Sequence, residues 1–115
     1  MITTENVVRK HLRTFLEQKG IPAMLEDYDD RARFYSAERV YEGHDEIGEF
    51  FAGFLHSLPP GAYDRFALGS LTVDGELAFI TWSVGTDISL GTDTFVVREG
   101  KIVSQTFAMY PAPRS

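Results

Sequence analysis

Asp93 is the residue whose type and setting most invite chemistry. It lies in the stretch Gly91 to Met109, GTDTFVVREGKIVSQTFAM, where two apolar-rich runs flank Arg98-Glu99-Gly100 and read as a β-hairpin. A three-residue loop with Gly100 in the left-handed region pairs Val97 with Lys101, Phe95 with Val103, Asp93 with Gln105 and Gly91 with Phe107. One face then gathers Phe95, Val97, Val103, Phe107 and Met109 around Asp93 and Gln105. The other face carries Thr92, Thr94, Val96, Ile102, Ser104 and Thr106, which would meet water or a second subunit. A two-residue loop would instead set Asp93 beside Thr106. On an apolar face a carboxyl is driven toward its neutral form, able to donate a hydrogen bond or exchange a proton near neutral pH. The competing reading is a buried aspartate satisfied by Gln105, Thr92 or backbone amides.

Other side chains fit around that carboxyl. His11 falls within the apolar stripe Val7, Val8, Leu12, Phe15 and Leu16, so its imidazole should face the sheet and could serve as base or positioning group. Tyr35 stands between Phe34 and Ser36 on a predicted strand, and its hydroxyl is a substrate donor if it points inward. Trp82 shares a face with Ala78, Ile80 and Val84, which suits a pocket wall, the alternative being a subunit interface. Phe50, Phe54, Phe95 and Phe107 complete an apolar lining or a plain core. His11, His44 and His56 lack metal-ligand spacing, no serine sits in a glycine-flanked elbow, and no glycine-rich phosphate loop occurs. No metal and no cofactor are expected.

Composition bounds the function. With 115 residues the chain is read as one domain, 1–115, with room for one pocket. A formal charge of −6 and the lack of any basic run argue against nucleic acid. Zero cysteines remove disulfides, thiolate nucleophiles and cysteine-based zinc sites. MITTENVVRK has no secretory pattern and no stretch approaches the roughly 18 apolar residues of a membrane span, so a soluble, cytoplasmic protein is expected.

The elements that must position these residues begin with an amphipathic helix from Thr3 or Thr4 toward Gly20, with Glu5 in its first turn. Pro22 opens a short second helix from Ile21 to about Tyr28, and Glu26, Asp27, Asp29 and Asp30 read as its solvated end. Residues 32–42 form two short strands. Ile47, Phe50, Phe51, Phe54 and Leu55 mark a third helix, which Pro59, Pro60 and Gly61 end. Strands follow at roughly 65–73 and 76–85 around Asp74-Gly75, and then comes the hairpin. Helices followed by strands predict an α+β fold, with helices on one face of a curved antiparallel sheet that encloses a cone-shaped pocket.

This arrangement, with YEGHDEIGEFFAGF and the closing GTDTFVVREGKIVSQTFA, resembles the nuclear transport factor 2-like (NTF2-like) superfamily, especially its ketosteroid isomerase-like and SnoaL-like polyketide cyclase branches. The resemblance implies a cone-shaped fold, homodimers through the outer face of the sheet, and activities ranging from isomerases, cyclases, dehydratases and epoxide hydrolases to non-catalytic binding modules. Against ketosteroid isomerase, TDTF matches the strand bearing an acidic oxyanion donor, which places that role on Asp93. Ketosteroid isomerase is itself the standard illustration of a carboxylic acid held neutral by an apolar site. The isomerase's helix-one tyrosine falls at His11 and its aspartate base at or near Tyr35, so the chain departs from that mechanism. The expectation is a cofactor-independent acid-base enzyme for a small apolar, cyclic or polyketide-like molecule, with Asp93 and His11 catalytic. Tyr35, Trp82, Gln105, Phe95, Phe107, Phe50 and Phe54 would bind substrate. The alternative is a non-catalytic dimer that binds a ligand or a protein partner.

Overall fold

The computed structural model describes residues 2–113. Four helices and six strands follow one another as α1 (Thr4–Leu16), α2 (Ile21–Leu25), β1 (Tyr28–Tyr35), β2 (Val40–Glu42), α3 (Gly43–Ser57), α4 (Ala62–Arg65), β3 (Phe66–Asp74), β4 (Leu77–Val84), β5 (Ile88–Arg98) and β6 (Lys101–Tyr110). Thr3 caps α1, its hydroxyl oxygen accepting from the Asn6 amide at 3.1 Å, and Glu5 sits at the positive end of the helix. Val7, Val8, His11 and Thr14 recur at helical spacing and form its buried face. In α3 the buried pair is Ile47 and Phe51, one turn apart.

The strands form one curved sheet in the order β2-β1-β6-β5-β4-β3. All pairings are antiparallel except β1 with β6, which run parallel. A parallel neighbour needs a long connection, and most of the chain lies between these two strands. The expectation of an antiparallel sheet therefore holds for four of the five pairings. Alternation in β4 buries Ala78, Ile80, Trp82 and Val84 on the inner face, where α1 and α3 pack, and leaves Leu77 and Phe79 exposed outside. That outer face is where the expected second subunit would sit.

The hairpin forms with a register that neither sequence alternative gives. Glu99 and Gly100, both with positive φ, make a two-residue turn, and Arg98 pairs with Lys101 and Val97 with Ile102. The ladder then slips, so that Val96 faces Ser104, Phe95 faces Gln105 and Asp93 faces Phe107. Val103 is the extra residue of a β-bulge. The bulge sends Ile102 into the core, fully buried, and moves Val103 to a half-buried position, which reverses their expected faces. Ile102→Ala should therefore cost about 2–5 kcal/mol, against less than about 1 kcal/mol for Val103→Ala. Urea unfolding of the two variants checks this, and equal losses would contradict the bulge.

Candidate functional site

A small cavity of about 60 Å³ lies between the helices and the inner sheet face. Its wall is almost wholly hydrocarbon. Phe34, Phe51, Ile80, Val84 and Phe95 lie deep, and Phe50, Phe54, Leu58 and Phe66 are half-buried around them. Polar atoms reach the wall only from His11, Trp82, Asp93 and Gln105. Aromatic rings fill most of the cone: Phe50 meets Phe107 edge to face with centroids 5.1 Å apart, and Trp82 stacks on Phe66 at 5.7 Å.

Asp93 points inward from β5 and is 6% exposed. Trp82 Nε1 donates to its Oδ2 at 2.7 Å, and Gln105 Nε2 donates to its Oδ1 at 2.9 Å. Because of the bulge, Gln105 stands opposite Phe95 and reaches Asp93 diagonally, not directly across as expected. Burial pushes the Asp93 carboxyl up to about 7, against the opposing pull of the Gln105 and Trp82 hydrogen bonds. It therefore titrates near neutral pH, where it can both hold and release a proton.

Trp82 owes its pose to Gly91, its cross-strand partner. A Cβ on Gly91 would come within 2.0 Å of the indole Cε2, so the ring lies directly on glycine backbone. An interior strand glycine is the sequence signal that would have revealed this close approach.

Beyond Gln105 the polar groups continue as a chain. The Tyr28 hydroxyl donates to Gln105 Oε1 and lies 3.2 Å from His11 Nε2. His11 Nδ1 is 2.9 Å from Asp27 Oδ2, and Asp27 Oδ1 accepts from Lys10 Nζ at 2.6 Å. Tyr28, His11, Asp27, Asp93 and Gln105 are all buried, whereas Lys10 is half exposed. Burial raises the Asp27 carboxyl, but its hydrogen bonds to His11 and Lys10 and their positive charge outweigh that and hold it below the usual carboxylate range. Burial and the nearby Asp93 and Asp27 charges push the Tyr28 phenol well above its ordinary value, so Tyr28 keeps its proton. Among the described residues no buried side-chain nitrogen or oxygen lacks a partner.

Two sequence expectations fail here for one reason. The sequence pattern puts Tyr28 at the end of a helix and Asp27 in a solvated acidic run, but α2 stops at Leu25 and Tyr28 opens β1. The Asp27 carbonyl accepts from the Ile102 amide at 2.8 Å, and His44 Nε2 donates to the Tyr28 carbonyl at 2.9 Å, so this junction is stitched to β6 and α3. Asp29 and Asp30 remain outside, as half-buried and exposed residues.

Tyr35 is corrected as well. In β1 the buried side chains are Tyr28, Ala32 and Phe34, which turns Tyr35 to the opposite face, 40% exposed and away from the cavity. Tyr35 therefore does not line the cavity, contrary to the expected substrate contact. Trp82, Gln105, Phe95, Phe107, Phe50 and Phe54 all line the cavity with Asp93. The His11 ring also lies on the cavity wall, but both its nitrogens are engaged, by Asp27 and Tyr28. No cluster of three or more metal-ligating side chains occurs among the described residues.

With this geometry in view, comparison with known proteins is informative. The model of the SnoaL-like domain family matches residues 8–105, most of the chain. The chain belongs to the SnoaL-like family. No curated protein matches it. Among solved structures, this SnoaL-like chain is similar to an NTF2-like protein of unknown function from Cytophaga hutchinsonii, at 14% identity and a TM-score of 0.71, over 96% of this chain and 93% of that one. A Sinorhizobium meliloti protein provisionally assigned as a polyketide cyclase aligns at 15% identity and a TM-score of 0.73, over 90% of this chain and 94% of the other. A de novo designed protein with a curved β-sheet reaches a TM-score of 0.75 at 18% identity, over 94% of this chain and 85% of the designed one. Identities this low carry the SnoaL-like fold and nothing further; a designed chain can hold the same frame with no natural reaction behind it.

Proposed function

We propose that this SnoaL-like protein is a cofactor-independent acid-base enzyme of isomerase, cyclase or dehydratase type, acting on a small apolar molecule with Asp93 as proton donor or oxyanion partner. The observation that carries this reading is a carboxyl pushed up to about 7 by burial in a wall whose other polar atoms come only from His11, Trp82 and Gln105. Protonated Asp93 still accepts from Trp82 on Oδ2, and its own proton can turn from Gln105 to a carbonyl or hydroxyl in the cavity. The low-dielectric surroundings strengthen that bond and exclude competing water. A provisional polyketide cyclase among the structural relatives agrees with such chemistry.

Trp82, the only tryptophan, touches Asp93 and supplies the probe. Cyclic enones and planar phenols should quench its fluorescence saturably. Affinity should drop about tenfold, or about 1.4 kcal/mol, in Asp93→Asn, and turnover of any accepted enone or ester should vanish. Because the donor form is the protonated one, wild-type binding and rate should be full below pH 6 and fall as pH rises through about 7. A panel without quenching or turnover, or an activity untouched in Asp93→Asn, would remove the catalytic claim.

A second reading rests on the size of the cavity. About 60 Å³ admits only a few atoms, well below the roughly 300–1,000 Å³ of pockets that hold drug-sized ligands. A cone already filled by its own rings, with Asp93 satisfied by Trp82 and Gln105, describes a non-catalytic binding or interaction module of the same fold. The same titration separates the two, since a closed cone gives no saturable quenching with any member of the panel.

A further inference from the structure

We propose that Tyr28 is a positioning residue that ties the proton on Asp93 to the charge on His11, so that these two side chains at opposite ends of a buried chain exchange one shared proton. The inference needs no ligand and stands apart from the enzymatic reading.

Gln105 Nε2 donates to Asp93, so the amide oxygen is left to accept, and the single Tyr28 proton goes to it. Tyr28 Oη can then only accept at its other contact, which requires a proton on His11 Nε2. Asp27, ionised and accepting from Lys10, requires a proton on Nδ1 as well. In this arrangement Asp93 is an anion and His11 a cation.

Turning the Gln105 amide by half a turn reverses every link without moving a heavy-atom position. Protonated Asp93 donates to the amide oxygen, the amide nitrogen donates to Tyr28 Oη, and the Tyr28 proton swings to His11 Nε2. His11 is now neutral, with its one proton still on Nδ1 against Asp27. His11 holds one proton fewer and Asp93 one more, so proton number and net charge are unchanged. Both arrangements satisfy all the groups. Asp93 ionised with His11 neutral does not, because two acceptors then face one another on one side of Tyr28 or the other.

The neighbouring charges do not break this symmetry at the tyrosine. Lys10 comes from α1 and Asp27 from the junction before β1, and both act at the His11 end. From α3, His44 bonds the Tyr28 backbone carbonyl and lies 3.8 Å from exposed Asp30. From β5 the facing charge is Asp93, and its neighbours Trp82 and Gln105 are neutral. Lys10 is half exposed, so the His11–Asp27 end of the chain reaches the surface while Asp93 meets the cavity.

The test is an NMR titration of the ligand-free protein from pH 4 to 9, following the His11 ring nitrogens and the Asp93 side-chain carboxyl carbon. Wild-type protein should show the same two steps at both residues. In Tyr28→Phe each residue should titrate in one step, with midpoints moved by about one pH unit or more. In Asp93→Asn the amide nitrogen donates to Gln105 as protonated Asp93 does, so His11 should hold its Nδ1–H neutral form and the two-step curve of the wild type should not survive at His11. A single wild-type step at His11 that Asp93→Asn leaves in place would overturn the proposal, and that comparison decides it even if Tyr28→Phe does not fold. Coupling without turnover would remove the enzymatic reading alone, and turnover without coupling would remove this inference alone.

Discussion

Between pH 4 and pH 8 the protein should lose on the order of 4 kcal/mol of stability through Asp93, and Asp93→Asn should lose none of that share. The folded carboxyl titrates at about 7, against an ordinary value of 3.8 in the unfolded chain. Below 3.8 both states are protonated and the contribution is fully present. Across the window the unfolded chain has released the proton and the folded one has not, so stability falls by about 1.36 kcal/mol per pH unit over about three units. Above 7 the loss is complete. Because Asp93 is buried, solvent does not screen this effect away. Urea unfolding of parent and variant at pH 4, 6 and 8 should give curves that start together and diverge, with the variant the more stable at pH 8. Parallel curves would mean that Asp93 ionises in the folded state as it does in water, and its role as a neutral donor would go with them.

Gly91→Ala should cost about 2–6 kcal/mol although it adds one methyl group. That methyl would occupy the space of the Trp82 ring, 2.0 Å from Cε2 and 2.2 Å from Cζ2. Backbone on one side and Phe66 and Phe107 rings on the other leave the indole little room to slide. Overpacking costs about 1–3 kcal/mol, and a tryptophan that swings away also abandons its bond to buried Asp93, for about 1–3 kcal/mol more. Trp82 emission should shift to the red as the ring meets water. Parental stability with parental emission would show that the indole does not lie on Gly91. The variant also separates shape from charge, since Asp93 and Gln105 are both still present.

Much of this frame is legible in the residues. The cap at Thr3, the stripe of α1, the Pro59-Pro60-Gly61 stop and the alternation of β4 are local signals, and local physics decides them. Asp93, Gln105, Trp82 and Phe107 share the expected inward face because the bulge at Val103 offsets the change from a three-residue to a two-residue turn. What escapes is set by partners distant in sequence. Val103 carries no glycine or other mark of a bulge, so the register could not be read. Asp27 looks solvated among Glu26, Asp29 and Asp30 until Lys10 and His11 are brought against it. Tyr28 continues the helical spacing from Ile21, and only hydrogen bonds to β6 and α3 make its neighbourhood a strand. The missed residues are the middle of the polar chain, where tertiary contacts overrule local preference.

The parallel seam between β1 and β6 has a kinetic consequence. Tyr28 pairs with Ile102 and Phe34 with Gln105, contacts that close loops of about seventy residues before any favourable interaction offsets the entropy of closure. The β3–β4 and β5–β6 hairpins, by contrast, join residues adjacent in sequence and can form early. Lys10, His11, Asp27 and Tyr28 lie within 18 residues of one another and can meet locally, whereas the bond from Tyr28 to Gln105 must await the closed seam. The buried polar chain therefore crosses the long-range seam of the sheet at a single link, Tyr28 to Gln105, and peeling β1 from β6 would cut it there.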